Sequence, residues 1–181
     1  YIYIQDSGKQ TVTTKGMKAE IRCVEKNAFR TVVEICHEMM VPSGMGEELQ
    51  RQREMCIDPY TRVANRSKEL VPMEVKTVLT LEKSGKGLHV ATTICNQAKD
   101  HRVRVVMPTG LNTSTHLADS AFEVVKRNNR HNGTWTNPCG CERQQCFAAM
   151  EDETNGLLVA NRGLYEYEAV SYTHLTLPTK L

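Results

Sequence analysis

Several groups of residues in this chain have the types needed for chemistry. Cys139, Cys141 and Cys146, with His131 upstream, are zinc-ligand types. The Cys-x-Cys step is tighter than the gap of about two to four residues in common structural zinc sites, and no second pair follows. A turn with an apolar Cys146 entering a strand explains them better. Asp100-His101-Arg102 sets a carboxylate, an imidazole and a guanidinium side by side. Neighbours in a strand point to opposite faces, so His101 cannot join the other two. That spacing predicts an Asp100–Arg102 ion pair at a strand end, not a catalytic unit. Trp135, Tyr165 and Tyr167 could form a surface for sugar stacking, though such residues more often fill cores and edges. Asn65-Arg-Ser, Asn112-Thr-Ser and Asn132-Gly-Thr match a glycosylation pattern short enough to arise by chance.

The negative findings are as useful. There is no Gly-rich phosphate loop, no His-Glu-x-x-His and no Gly-x-Ser-x-Gly. Carboxylates are plentiful, but spacing assigns no pair to acid and base roles. The residues therefore assign no catalytic, substrate-binding or metal-binding position in this chain.

The elements that would have to position such residues are strands. In 30–40, Val33, Ile35 and Met39 share one face while Glu34 and Glu38 share the other, the period of two of a half-buried strand. His37 falls on the apolar face, where a packed or edge histidine is expected. In 73–82, Val75, Thr77, Leu79 and Leu81 alternate with Glu74, Lys76, Val78 and Thr80. Ser84-Gly-Lys-Gly then turns the chain into Leu88, Val90, Thr92 and Ile94, which makes a hairpin. The stretch from Asn96 to Arg127 reads as two strands, the first stopped by Pro108-Thr-Gly and the second carrying Phe122 and Val124. Tyr1-Ile-Tyr-Ile, 19–24, 145–150 and 156–161 read as further strands. Glu47 to Met55 is rich in helix formers, but Leu49 is its sole aliphatic anchor before Met55. A short exposed helix and a long loop both fit it. Residues 56–70 and 126–133 read as irregular chain. Strands at this spacing, with almost no helix, predict an all-β fold, an antiparallel β-sandwich.

The totals agree. At 181 residues the chain fits one domain or most of a larger one. A net charge of +2 is too balanced to point to nucleic acid or an acidic membrane surface. No apolar run is long enough to span a bilayer. Seven scattered cysteines, an odd number, suit a reducing cytoplasmic compartment better than a disulfide framework. The chain opens on Tyr1, not Met, and this reads as a start inside a larger frame.

At Asn96-Gln-Ala-Lys-Asp-His-Arg-Val-Arg-Val-Val-Met-Pro-Thr-Gly-Leu111 the sequence closely resembles glycoside hydrolase family 38, the α-mannosidases and mannosylglycerate hydrolases. Ala118-Asp-Ser-Ala-Phe122, Thr134-Trp-Thr-Asn-Pro138 and Gly156-Leu-Leu-Val-Ala-Asn-Arg-Gly-Leu-Tyr-Glu-Tyr167 resemble successive landmarks of the bacterial members' C-terminal β region, in order. The resemblance covers roughly residues 1–169 and is loosest over 43–70. It implies retaining hydrolysis of α-mannosides. It also implies a carboxylate nucleophile and a zinc site held by His and Asp, both in an N-terminal barrel that this chain does not match. By resemblance the chain is an incomplete piece, 1–170, of a sandwich of the galactose-mutarotase-like supersandwich type. It would pack on its own catalytic domain and be inactive alone. Mannoside carbohydrate would be a partner only through the whole enzyme, and the resemblance allows a homo-oligomer. The alternative is a non-catalytic carbohydrate-binding β-sandwich module, which needs an exposed aromatic platform. Ser171-Tyr-Thr-His-Leu-Thr-Leu-Pro-Thr-Lys-Leu181 departs from the family and resembles a tail read through a sequencing adapter. It reads as non-native and is left out of the fold reading; few contacts would fit that origin, and close burial in the core would count against it.

Overall fold

Aliphatic and β-branched residues at alternate positions make strands the dominant element of the described residues. The computed structural model describes residues 11–59, 61–63, 65–129, 141–170 and 172–180. The opening Tyr1-Ile-Tyr-Ile run lies outside the described residues. The chain divides into two units, Tyr1–His101 and Arg102–Leu181.

The first unit is an antiparallel meander in the order β1-β2-β3-β4. Its strands are β1 (Glu20–Lys26), β2 (Arg30–Pro42), β3 (Leu70–Glu82) and β4 (Leu88–Cys95). The 73–82 and 88–94 hairpin forms as expected, with Leu79 opposite Val90 and Thr77 opposite Thr92. β3 begins earlier than predicted and includes Pro72, which pairs with Met40 of β2. β4 joins β3 only from Glu74 onward, so the outer side of β3 is open at Pro72 and the missing N–H costs no ladder bond. Register sorts the sheet faces. Arg22 lies opposite Glu34 on the polar face, and Glu34 binds both Arg22 at 2.6 Å and Lys76 at 2.9 Å. His37 sits half-buried on the other face, in line with Val75 and Ile94. Met39, Val41, Met73 and Ala98 form the core of this unit.

Residues 47–54 are a helix, α1 (Glu47–Glu54). So short a helix is marginal on its own propensity. Leu49 is its buried residue, and the rest of the helix faces outward.

The second unit pairs two four-stranded sheets. One has the order β10-β9-β6-β7, from β6 (Thr115–Asp119), β7 (Val124–Asn128), β9 (Phe147–Glu151) and β10 (Gly156–Ala160). The other has the order β5-β12-β11-β8, from β5 (Arg102–Thr113), β8 (Cys141–Arg143), β11 (Glu166–Val170) and β12 (Tyr172–Lys180). Their inner faces meet in one core: Leu111, Tyr167 and Leu175 from one sheet, Ala118, Ala148, Met150 and Val159 from the other. Two antiparallel sheets on one core are a β-sandwich, the predicted architecture.

Three readings of this half are corrected. Pro108-Thr-Gly does not end a strand. β5 runs through it to Thr113 as the edge of its sheet, where proline is tolerated. Asn96 to Arg127 thus holds parts of three strands, because a bend at 120–123 separates β6 from β7. Lys126, Arg127 and Asn128 belong to β7 and are not loop. Finally, the segment from Tyr172, left out of the fold reading, forms strand β12. β12 lies between β5 and β11, pairing with both, and Leu175 is fully buried.

Candidate functional site

The densest polar arrangement lies between the sheets of the second unit. His116 on β6 points into the core beside Ala118, two residues along the same face. Its Nδ1 lies 2.8 Å from Asn129 Oδ1, and its Nε2 lies 2.7 Å from the Tyr167 hydroxyl. Asn129 Nδ2 donates to the Thr113 carbonyl at 2.8 Å, which leaves Oδ1 to accept from His116. The ring is therefore assigned as the neutral tautomer with its proton on Nδ1. Nε2 then accepts from the Tyr167 O–H. That hydroxyl in turn accepts from Arg127 Nη1 at 2.8 Å. Arg127 Nη1 also donates to the Arg143 carbonyl at 2.7 Å, and Glu142 Oε2 lies 3.6 Å away. The Tyr167 and His116 rings meet edge-on at 5.2 Å. Burial pushes the Tyr167 hydroxyl above the ordinary tyrosine range, while the Arg127 guanidinium pulls the other way and prevails less.

This arrangement holds two sheets together. Each polar side-chain atom named above has a protein partner, and the Tyr167 ring is fully buried. A catalytic histidine needs a face toward substrate, and both nitrogens of His116 are already engaged inside the core. We read it as a polar clamp.

Asp119, at the end of β6, is a second structural carboxylate. Its Oδ1 accepts from the backbone N–H of Gln145 (2.9 Å), Cys146 (2.9 Å) and Phe147 (3.0 Å). It thereby fixes where β9 begins. Desolvation works to raise its pKa, but the three N–H donors together outweigh it and hold the carboxyl below the ordinary range. Replacing Asp119 with alanine removes the acceptor of those donors and is expected to cost about 1–2 kcal/mol at neutral pH, since water reaches two of them. A depressed folded pKa gives stability that is present above the unfolded value and lost as pH falls through the folded one. The gap between wild type and Asp119→Ala in urea midpoint should therefore shrink below about pH 3.9. An unchanged gap down to about pH 2 would contradict this role.

A shallow groove of about 320 Å³ crosses β6 and the β9–β10 turn, with Lys126, Glu151, Asp152 and Glu153 in its wall. Among the described residues its lining includes His116 but no Phe, Tyr or Trp. Asp152 is committed to its own turn, accepting from the N–H groups of Thr154 and Asn155 at 2.9 Å each. Those bonds hold it ionised, below the ordinary carboxylate range, so it is no proton donor near neutral pH.

The residues singled out by type are scattered. Cys141 lies 3.0 Å from Arg102 Nη2, and Cys146 sits in the exposed turn before β9. Cys139, His131 and Trp135 lie outside the described residues. Among the described residues no three His, Cys, Asp or Glu side chains are grouped to hold a metal ion. The predicted Asp100–Arg102 pair is replaced: Arg102 faces Glu166 at 3.6 Å, and Asp100 takes a positive φ of 56° with its carbonyl accepting from Arg66. Tyr165 is 66% exposed, whereas Tyr167 is fully buried, so the two cannot share a sugar platform. The two glycosylation matches among the described residues, Asn65 and Asn112, are exposed. His116 and Arg127 carried no spacing signal. Only the alternation through Leu117, once β6 is placed, turns them inward.

The fold defines an antiparallel β-sandwich in which His116, Asn129 and Tyr167 are tied to one another across the core. The model of the glycosyl hydrolases family 38 C-terminal domain matches residues 1–178, and the chain belongs to that family. A "Putative mannosylglycerate hydrolase" of Halalkalibacterium halodurans is 37% identical over 171 residues, 94% of this chain and 19% of that protein. The crystal structure of an alpha-mannosidase from Enterococcus faecalis V583 superposes with a TM-score of 0.92 at 36% identity, over 97% of this chain and 20% of that one. A second family 38 structure from Enterococcus faecalis gives 0.88 at 35% identity, again over 97% and 20%. The chain thus spans about a fifth of the length of these relatives.

Proposed function

We propose that this chain is the C-terminal β region of a longer α-mannosidase and has no hydrolytic activity alone. The observation that carries the reading is the match over 1–178 to a C-terminal domain by a chain a fifth as long as its relatives. Glycoside hydrolysis needs two carboxyl groups held about 5–10 Å apart across the bond to be cut. In the described residues the well-placed carboxylates, Asp119 and Asp152, are tied to backbone N–H groups. Zinc, implied by family resemblance, finds no ligand set among the described residues. On this reading the chemistry and any metal belong to the catalytic portion of the longer protein. The sandwich packs on that catalytic portion and supports it. A cytoplasmic setting fits the free thiols of Cys23, Cys36, Cys56 and Cys95. No described helix is long and apolar enough to cross a membrane.

The carbohydrate-binding module is the weaker reading, because burial of Tyr167 removes a member of the aromatic platform it needs. The test of the proposal is hydrolysis of an aryl α-mannoside by the full reading frame that contains this segment. Cleavage of α-mannosides in preference to β-mannosides and α-glucosides is expected. A full-length product that is folded and cleaves none of them sinks the assignment.

A further inference from the structure

The sheet of the first unit has an apolar face that is finished at one end only. Register places Met39 opposite Met73, and His37 in line with Val75 and Ile94. That end is closed by the unit's own core. The same face continues through Ile21 and Ile35 to the row Cys23–Val33–Leu79–Val90, and then to Leu81 and Leu88. Here the covering stops. Ile21 is 66% exposed, Leu81 55%, Leu88 53% and Val90 54%. The opposite face at this level carries Arg22, Glu34 and Lys76, already paired with one another. So one face carries paired charges, and among the described residues the other leaves a row of apolar side chains exposed.

We propose that this strip is the docking surface for a portion of the same polypeptide that precedes the segment in the full-length protein. The proposal rests on the reading of the chain as the C-terminal part of a longer enzyme. Its occupant is chosen by length: about four fifths of each relative lies outside the matched region, and that region is a C-terminal domain. The chemistry of the occupant follows from the strip. Rows that carry no charge, and whose hydroxyls at Thr77 and Thr92 are paired with each other at 3.3 Å, call for a largely apolar surface, as in permanent interfaces. Exposed Lys26, Lys83 and Lys86 rim the open end, so carboxylates are expected at the corresponding edge of the partner.

Cys23 lies within the strip and is exposed, which makes it a native probe. Cys36, half-buried on the opposite face, is an internal control for folding. The experiment compares maleimide labelling of these thiols in the 181-residue chain and in the full-length protein, read by peptide mass spectrometry. Cys23 is expected to react at least about tenfold more slowly in the full-length protein, with Cys36 slow in both. Leu81→Glu in the full-length protein should restore the Cys23 rate while moving the melting temperature of the 181-residue chain by less than about 2 °C. Equal Cys23 rates in the two proteins overturn the proposal. Concentration-dependent protection of Cys23 in the isolated chain also overturns it, because the occupant would then be a second copy. The activity reading is judged separately. A protected Cys23 in a full-length protein that cleaves no α-mannoside upholds docking and defeats the activity, and an active enzyme with an open Cys23 does the reverse.

Discussion

Tyr167→Phe is expected to destabilise the second unit by about 1.5–3 kcal/mol, a large effect for the loss of one oxygen. That oxygen donates to His116 Nε2 and accepts from Arg127 Nη1 in a site closed to water. Removing it leaves the His116 nitrogen unpaired in the core and takes from Arg127 one of its acceptors. Tyr167→Ala adds a cavity and should cost about 3–5 kcal/mol or more. A stability loss alone would not separate the clamp from simple packing. Two further readouts do. In a double-mutant cycle, Tyr167→Phe and Arg127→Met should couple by about 0.5–3 kcal/mol, since they remove the two ends of one hydrogen bond. The pH dependence has a definite sign as well. The folded Tyr167 holds its proton more tightly than the unfolded chain, so its stabilisation is complete below the ordinary tyrosine pKa and lost as pH climbs through the folded value. The advantage of wild type over Tyr167→Phe should therefore narrow from about pH 10 upward. Additive variants with a pH-independent gap would show that the ring matters and the network does not.

Ending the chain at Val170 is expected to do more damage still. β12 is an inner strand, hydrogen-bonded to β5 on one side and β11 on the other, and Leu175 is one of the largest fully buried side chains. Without it β5 loses the strand it pairs with in its sheet, and the core between the sheets opens. Amides of 102–113 should lose hydrogen-exchange protection, and the second unit should melt without a cooperative transition. Leu175→Ala gives the milder version, about 2–5 kcal/mol. The pattern of damage is specific: the β2–β3–β4 ladder of the first unit should keep its protection in both variants. A 1–170 chain that melts cooperatively within about 3 °C of the parent would show β12 to be dispensable, and the last residues could then be left out of the fold as their unfamiliar sequence suggests.

The contrast between those two cases shows what was legible in the sequence. The β2, β3 and β4 strands could be read because each shows a clean period of two over many residues, with glutamates or threonines facing water. α1 was half legible: its helix formers were visible, but a helix with one apolar anchor looks like a loop until Leu49 is seen to be buried. β7 was hidden because Lys126 and Arg127 look like loop composition. Arg127 turns inward only because Glu142, the Arg143 carbonyl and the Tyr167 hydroxyl await it from two other strands. Such compensation is long-range and leaves no local trace. Pro108 misled for a related reason: proline ends a strand in the middle of a sheet but not at an edge, and edge position is a property of the whole sheet. For the clamp, His116 and Tyr167 are 51 residues apart and nothing in their spacing joins them. Strand alternation also misplaced the Asp100–His101–Arg102 step, because β5 begins only at Arg102 and Asp100 sits in a turn with positive φ.

The central claim is that the chemistry lies outside this segment. The most direct test is to assay the purified 181-residue chain and the full-length protein side by side on an aryl α-mannoside, each with and without added zinc. The full-length protein should turn over and the isolated chain should stay at the buffer blank in every condition. Turnover by the isolated chain, removed by no contaminant control and abolished by a substitution within it, would contradict the account outright.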